Sequence, residues 1–151
     1  MKILALDYGT KRIGVALSDV TRTLASPQPF IPNQAFAKIK GIINDWVKRE
    51  NVTLIVIGMP RNMDGSYGPS AQLVRDFVDK LKAADVTVPI KPLDERLTTV
   101  QASRQLHDAG RNTRQQRELV DSVSATILLQ SYLDSMPLDI PVIPEESDPA
   151  E

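Results

Sequence analysis

The chain has 151 residues, no cysteine, and 18 Lys plus Arg against 19 Asp plus Glu, for a formal net charge of −1. That length suits one domain with a real core and is too short for two substantial lobes. The missing cysteine excludes disulfides and thiolate metal sites, no run approaches the ~18 apolar residues of a membrane span, and the N-terminus shows no charged-then-apolar signal, so no membrane partner and a cytoplasmic location are expected.

The net charge conceals a segregation. From Met136 onward lie five acids (Asp139, Glu145, Glu146, Asp148 and Glu151), four prolines and no base. Such a tail cannot bury enough apolar surface to order itself, so residues 136–151 are expected to be disordered and 1–135 to form the folded domain. That domain keeps 18 bases against 14 acids, a mildly basic body that permits a polyanionic partner.

Taken in order, Ile3–Asp19 reads as a strand ending at Asp7, a turn through Tyr8-Gly9-Thr10 with the basic pair Lys11-Arg12, and a returning strand from Ile13. Carboxylates at strand ends beside glycine turns hold metals and phosphates, although aspartate also simply starts turns. Thr23–Phe30 reads as an edge-like strand because of its prolines. Asn33 is placed to cap a helix carrying Ile39, Ile42, Ile43, Trp46 and Val47, with Trp46 in the core. Thr53–Ile57 is a buried strand of parallel type ending at Gly58-Met-Pro60. The polar loop Arg61-Asn62-Met-Asp64-Gly65-Ser66 follows, where open α/β sheets often bind ligands. Pro69 then suits the first position of a helix through Leu73, Val74, Phe77, Val78 and Leu81.

Val86–Leu93 predicts a short strand ending in Asp94-Glu95-Arg96. Thr98 and Gln101 form a capping box for a helix closing at Gly110. His107, late in that helix, lacks a second histidine or cysteine for metal work and fits the surface. Strand alternation puts Asp94 and Glu95 on opposite faces, so only one can point toward Asp7, and either can instead pair with Arg96. A last helix is expected over 114–134, nearly apolar all round from Leu119 to Leu129. Asp121 interrupts that run, and a buried carboxylate needs a metal ion or an arginine to compensate it; Arg114 and Arg117 share its helix face. Five strands and four helices in this order predict an α/β fold with a mixed sheet and helices on its faces.

Four blocks also carry a resemblance. Asp7-Tyr-Gly-Thr-Lys-Arg-Ile-Gly-Val-Ala16, the GMPRNMDGS run from Gly58, DERLTT from Asp94 and VDSVSATILLQSYLD from Val120 resemble the YqgF/RuvX family of RNase H-like proteins, described as pre-16S rRNA nucleases and Holliday-junction resolvases. The resemblance implies an RNase H-like fold with a five-stranded sheet, Glu95 rather than Asp94 as the catalytic glutamate, and Asp121 as the third acid beside Asp7. Where that family is lysine-rich before this aspartate, the chain has Arg111-Asn-Thr-Arg114-Gln-Gln-Arg117, a retained but thinned charge. Three oxygen-only acids describe a hard-cation site for Mg2+ or Mn2+, and two such ions about 3.5–4 Å apart support phosphodiester hydrolysis. Lys11, Arg12, Arg61, Asn62, Arg96, Arg114 and Arg117 are the candidate nucleic-acid contacts. Few aromatics leave little for base stacking, so backbone shape or a ribosomal assembly is the expected target. The expected partner is RNA, with branched DNA as the alternative, and the expected assembly a monomer or weak homodimer. A non-catalytic nucleic-acid-binding module and an actin-like nucleotide phosphotransferase using the D-x-G-T turn are the other classes. The acidic tail can also be imagined lying over the bases near Asp121.

Overall fold

The computed structural model describes residues 1–60, 67–94 and 122–136. The elements in chain order are β1 (Lys2–Tyr8), β2 (Arg12–Ser18), β3 (Ala25–Pro32), α1 (Phe36–Glu50), β4 (Val52–Met59), α2 (Pro69–Ala83), β5 (Ile90–Asp94) and α3 (Val123–Ser135). The strands form one sheet in the order β3-β2-β1-β4-β5. β3, β2 and β1 pair antiparallel, while β4 and β5 run parallel to β1. The expected mixed, five-stranded sheet with helices on both faces is what the chain forms.

Alternation along the strands builds two cores. Leu4 and Leu6 of β1, Ile13 and Val15 of β2, and Ile55 and Ile57 of β4 face α1 and α2, meeting Ile39, Ile43, Val74, Phe77 and Leu81. Ile3, Ala5, Ala16, Val56 and Leu93 face the other way, against Ala125, Leu128, Leu129 and Leu133 of α3. Asp7 continues the Ile3–Ala5 series and therefore belongs to the α3 face. Tyr8 belongs to the opposite face, where its ring lies 4.7 Å from that of Phe77.

Several boundaries differ from expectation. β3 starts at Ala25, not Thr23, because the Asp19 carboxylate draws the preceding residues into a turn. It accepts the Thr23 N–H at 2.8 Å, the Leu24 N–H at 3.2 Å and the Thr21 hydroxyl at 2.7 Å. Slight burial opposes ionisation of Asp19, but these bonds and one from the Thr23 hydroxyl outweigh it and hold its pKa at about 2. α1 starts at Phe36 with Ala35 at its N-cap, and Asn33 makes no cap bond. β5 begins only at Ile90, since Pro89 has no N–H to donate; its carbonyl instead accepts the Ile55 N–H. Leu73 of α2 points to solvent while Ala71 takes the buried position. The last helix is described over Val123–Ser135, with Ser122 at the N-cap position. The loop at 61–66, the capping-box helix with His107, the stretch 114–121 and the tail 137–151 lie outside the described residues.

α3 is held on the sheet by polar bonds as well as by its core. Buried Gln130 accepts the Ala25 N–H at 2.9 Å and donates to the Thr23 carbonyl and to Asp134, each at 2.9 Å. Replacement Gln130→Leu keeps the volume but leaves two strand groups without partners, and is expected to cost about 1–3 kcal/mol in urea unfolding. A midpoint equal to wild type would show that this seam contributes nothing.

Candidate functional site

Asp7 lies at the carboxyl end of β1, where the central strand emerges from the sheet. It is half-buried, and burial pushes its pKa above the ordinary carboxylate value, partly countered by a hydrogen bond from Ser124. The cause is elementary: removing a carboxylate from water penalises its charged form. Its cross-strand partner on β2 is Gly14. The last pair of β1 with β4 is Leu6 with Ile57, so the next step sets Asp7 beside Gly58. Gly58 is in turn paired with Leu93. Asp7 is thus flanked on both sides by residues without side chains, which leaves a bare strip of backbone across the α3 face.

The first turn of α3 closes this strip from above. The β2–β3 ladder slips between Ile13 and Val15, where a three-residue step on β3 faces a two-residue step on β2. Ser122 fills the broken rung. Its Oγ accepts the Val15 N–H at 3.0 Å and donates to the Gln28 carbonyl. Two residues on, Ser124 reaches Asp7. Ser122 and Ser124 were missed from sequence. Their signal was two serines at i and i+2 in an otherwise apolar run.

The β1–β2 turn is the other wall. A Cβ on Gly9 would lie 2.5 Å from the Arg12 carbonyl oxygen, a backbone clash, so only glycine fits there. Asn33, expected as a helix cap, instead donates from Nδ2 to the Gly9 carbonyl at 2.8 Å, and its N–H donates to the Lys11 carbonyl at 3.0 Å. Lys11 and Arg12 are exposed, with the Arg12 guanidinium 5.6 Å from the Phe30 ring.

Of the expected three-acid pocket, the described residues contain Asp7. Glu95 and Asp121 lie outside them, as do Arg61, Asn62, Arg96, Arg114 and Arg117. Among the described residues no three acids or histidines gather. Asp94 is described: it pairs with Met59, whose side chain is in the α1–α2 core, so Asp94 falls on the face opposite Asp7. Asp7 fits a hard cation as an oxygen ligand, since a desolvated carboxylate beside a bare backbone strip gains from a nearby positive charge.

A mixed sheet with this strand order, an acid at the end of its central strand and a helix laid across that acid define an RNase H-like protein. Solved structures share the fold: the Thermus thermophilus RuvC in complex with a Holliday junction substrate has a TM-score of 0.59 at 10% identity, covering 89% of this chain and 95% of that one. The fowlpox virus Holliday junction resolvase has a TM-score of 0.53 at 13% identity, covering 90% of this chain and all of that one.

Residues 1–135 match the family model RuvX, described as Holliday junction resolvase, and the chain belongs to that family. Its relatives include a protein of Halothermothrix orenii named "Putative pre-16S rRNA nuclease", 43% identical, covering 89% of this chain and 95% of the relative. Proteins of the same name from Moorella thermoacetica (44%, covering 90% and 96%) and Roseiflexus sp. (45%, covering 89% and 94%) match as closely.

The raised pKa of Asp7 has a signed consequence. Between the ordinary aspartate value of 3.8 and the higher folded one, the folded state holds a proton that the unfolded chain has released. Stability contributed by this site therefore falls as pH rises through that window and stays lower above it. Asp7→Asn is expected to unfold at higher urea than wild type at pH 7 in chelator, with the gap narrowing as pH falls toward 4. An equal gap at both pH values would show that Asp7 is not titrating against burial.

Proposed function

We propose that this protein is a divalent-metal-dependent nuclease that hydrolyses phosphodiester bonds, acting on the 5′ region of pre-16S rRNA in the cytoplasm. The observation that carries the reading is the half-buried Asp7 at a strand end, its pKa raised, on a strip kept clear by Gly14 and Gly58. A structural aspartate does not need that clearance, whereas a phosphodiester or an ion held close to backbone does. The name shared by relatives at 43–45% identity supports rRNA as the substrate. Four-way DNA junctions are the second reading, supported by the description of the family model.

The two other acids follow from what surrounds them in the chain. With Asp94 on the α1–α2 side, strand alternation continued by one residue would carry Glu95 to Asp7's side of the sheet. Asp121 directly precedes Ser122, which is pinned to Val15 and Gln28 next to Gly14. Asp7, Glu95 and Asp121 would form an oxygen-only ligand set for Mg2+ or Mn2+. A pair of ions in such a set supplies an activated water and charge stabilisation for the leaving oxygen.

The chain's own residues do the rest. Asp7 supplies the carboxylate, and the Ser124 hydroxyl hydrogen-bonds it and favours its charged form. Lys11 and Arg12, with Arg61, Asn62, Arg96, Arg114 and Arg117, would contact phosphates and position the strand. The helix and sheet faces that half-bury Asp7 reduce the water that screens its charge.

The test is cleavage of an RNA spanning the 5′ end of 16S rRNA, with and without metal. Asp7→Asn, Glu95→Gln and Asp121→Asn are each expected to lower the rate at least about 100-fold, or about 2.7 kcal/mol. Millimolar Mn2+ is expected to raise the unfolding temperature of wild type, by about 2.7 kcal/mol of stability at 100 times Kd, but not that of Asp7→Asn. Cleavage persisting in chelator, or in Asp7→Asn, would overturn the metal nuclease. Cleavage of four-way DNA but not of RNA would select the second reading.

A further inference from the structure

The β1–β2 turn is built in a way that a plain hairpin does not require. Two of its carbonyls, those of Gly9 and Lys11, are tied to one residue, Asn33, through its side chain and its backbone N–H. Asn33 comes from the end of β3, more than twenty positions along the chain, and it forgoes the cap of α1 to make these bonds. A trans peptide holds its C=O and N–H on opposite sides, and the described residues contain no cis bond. With the Gly9 carbonyl drawn to Asn33, the Thr10 N–H on the opposite edge of the same peptide points away from Asn33. Thr10 and Lys11 are both exposed, and among the described residues neither the Thr10 hydroxyl nor the Lys11 ammonium has a protein partner. A backbone N–H, a hydroxyl and an ammonium thus sit on consecutive residues, with the competing carbonyls withdrawn. That is the donor set of an anion seat.

We infer that Asn33 is a positioning residue that shapes Thr10-Lys11 into a seat for one phosphate of a nucleic-acid backbone. The inference rests on the nuclease reading for the identity of the ligand, because the turn follows Asp7 directly and a phosphate held there belongs to the strand presented to it. Asn33 does not touch the nucleic acid. It acts by fixing which edge of the turn faces outward, and the lack of side chain at Gly9 lets the turn close that tightly.

The experiment measures binding of a fluorescein-labelled RNA hairpin from the pre-16S 5′ region to the full chain, in EDTA so that the RNA stays intact, across a salt series. Lys11→Ala is expected to weaken binding and lower the slope of log K against log salt by about 0.7 to 0.9. Asn33→Ala keeps the backbone bond to Lys11 and is expected to weaken binding about 3- to 10-fold, with an unchanged far-UV spectrum. The double variant is expected to bind no more weakly than the weaker single variant, because both act through one seat. Asn33→Asp, which keeps the shape but has no N–H to offer Gly9, is expected to reproduce Asn33→Ala and replaces it should that variant not fold. Wild-type affinity in the Asn33 variants, or losses that multiply in the double variant, would overturn the inference while leaving the nuclease standing. A wild-type chain without salt-dependent affinity for RNA would sink the nucleic-acid reading and the inference with it.

Discussion

A carboxylate held half out of water at the end of a central strand governs the architecture around it. Asp7 is on the α3 face because β1 alternates, and it cannot be moved without turning Ile3 and Ala5 out of the core beneath α3. Burial raises its pKa, so the folded chain carries an unfavourable term that apolar packing must offset. Proteins retain such terms where the group has work to do. The glycines on either side, Gly14 and Gly58, leave bare backbone beside that carboxylate.

α3 is attached to the sheet by hydroxyl and amide groups as much as by Leu128, Leu129 and Leu133. Ser122 substitutes for a missing rung where the β2–β3 ladder slips, and Gln130 does the same for Thr23 and Ala25 at the other end of β3. Apolar contacts alone would let a helix slide or rotate over a flat sheet face. Directional bonds to two strand positions set its register, and so fix Ser124 against Asp7.

The β1–β2 turn shows the same economy. Its glycine permits a close approach of backbone to the Arg12 carbonyl, and Asn33 from β3 turns its carbonyls inward. The backbone on either side of Asp7 is thus set by Ser122, Gly9 and Asn33. The membership of residues 1–135 in the RuvX family accords with a fold whose variable chemistry is grafted onto a constant sheet.

The mixed sheet was legible because β-branched runs such as Thr53–Ile57 and helical stripes such as Ile39–Ile43 are local patterns, each carrying its own period. Asp7 was legible too, since a charge that ends an apolar run is visible in one dimension. Asn33 was misread as a helix cap, because capping propensity is local whereas the Gly9 carbonyl it serves is distant in the chain. Pro89 shortened β5 for want of one N–H, and the Asp19 carboxylate delayed β3 by folding the preceding threonines into a turn. Ser122 and Ser124 showed only as polar breaks in an apolar helix. Sequence by itself determined which segments form strands, which faces are apolar and where the acids occur, because those follow from periodicity and charge. Tertiary structure alone decided which carbonyl each polar side chain meets and that Asp94 turns away from Asp7, because such partners are chosen by three-dimensional proximity between segments dozens of residues apart.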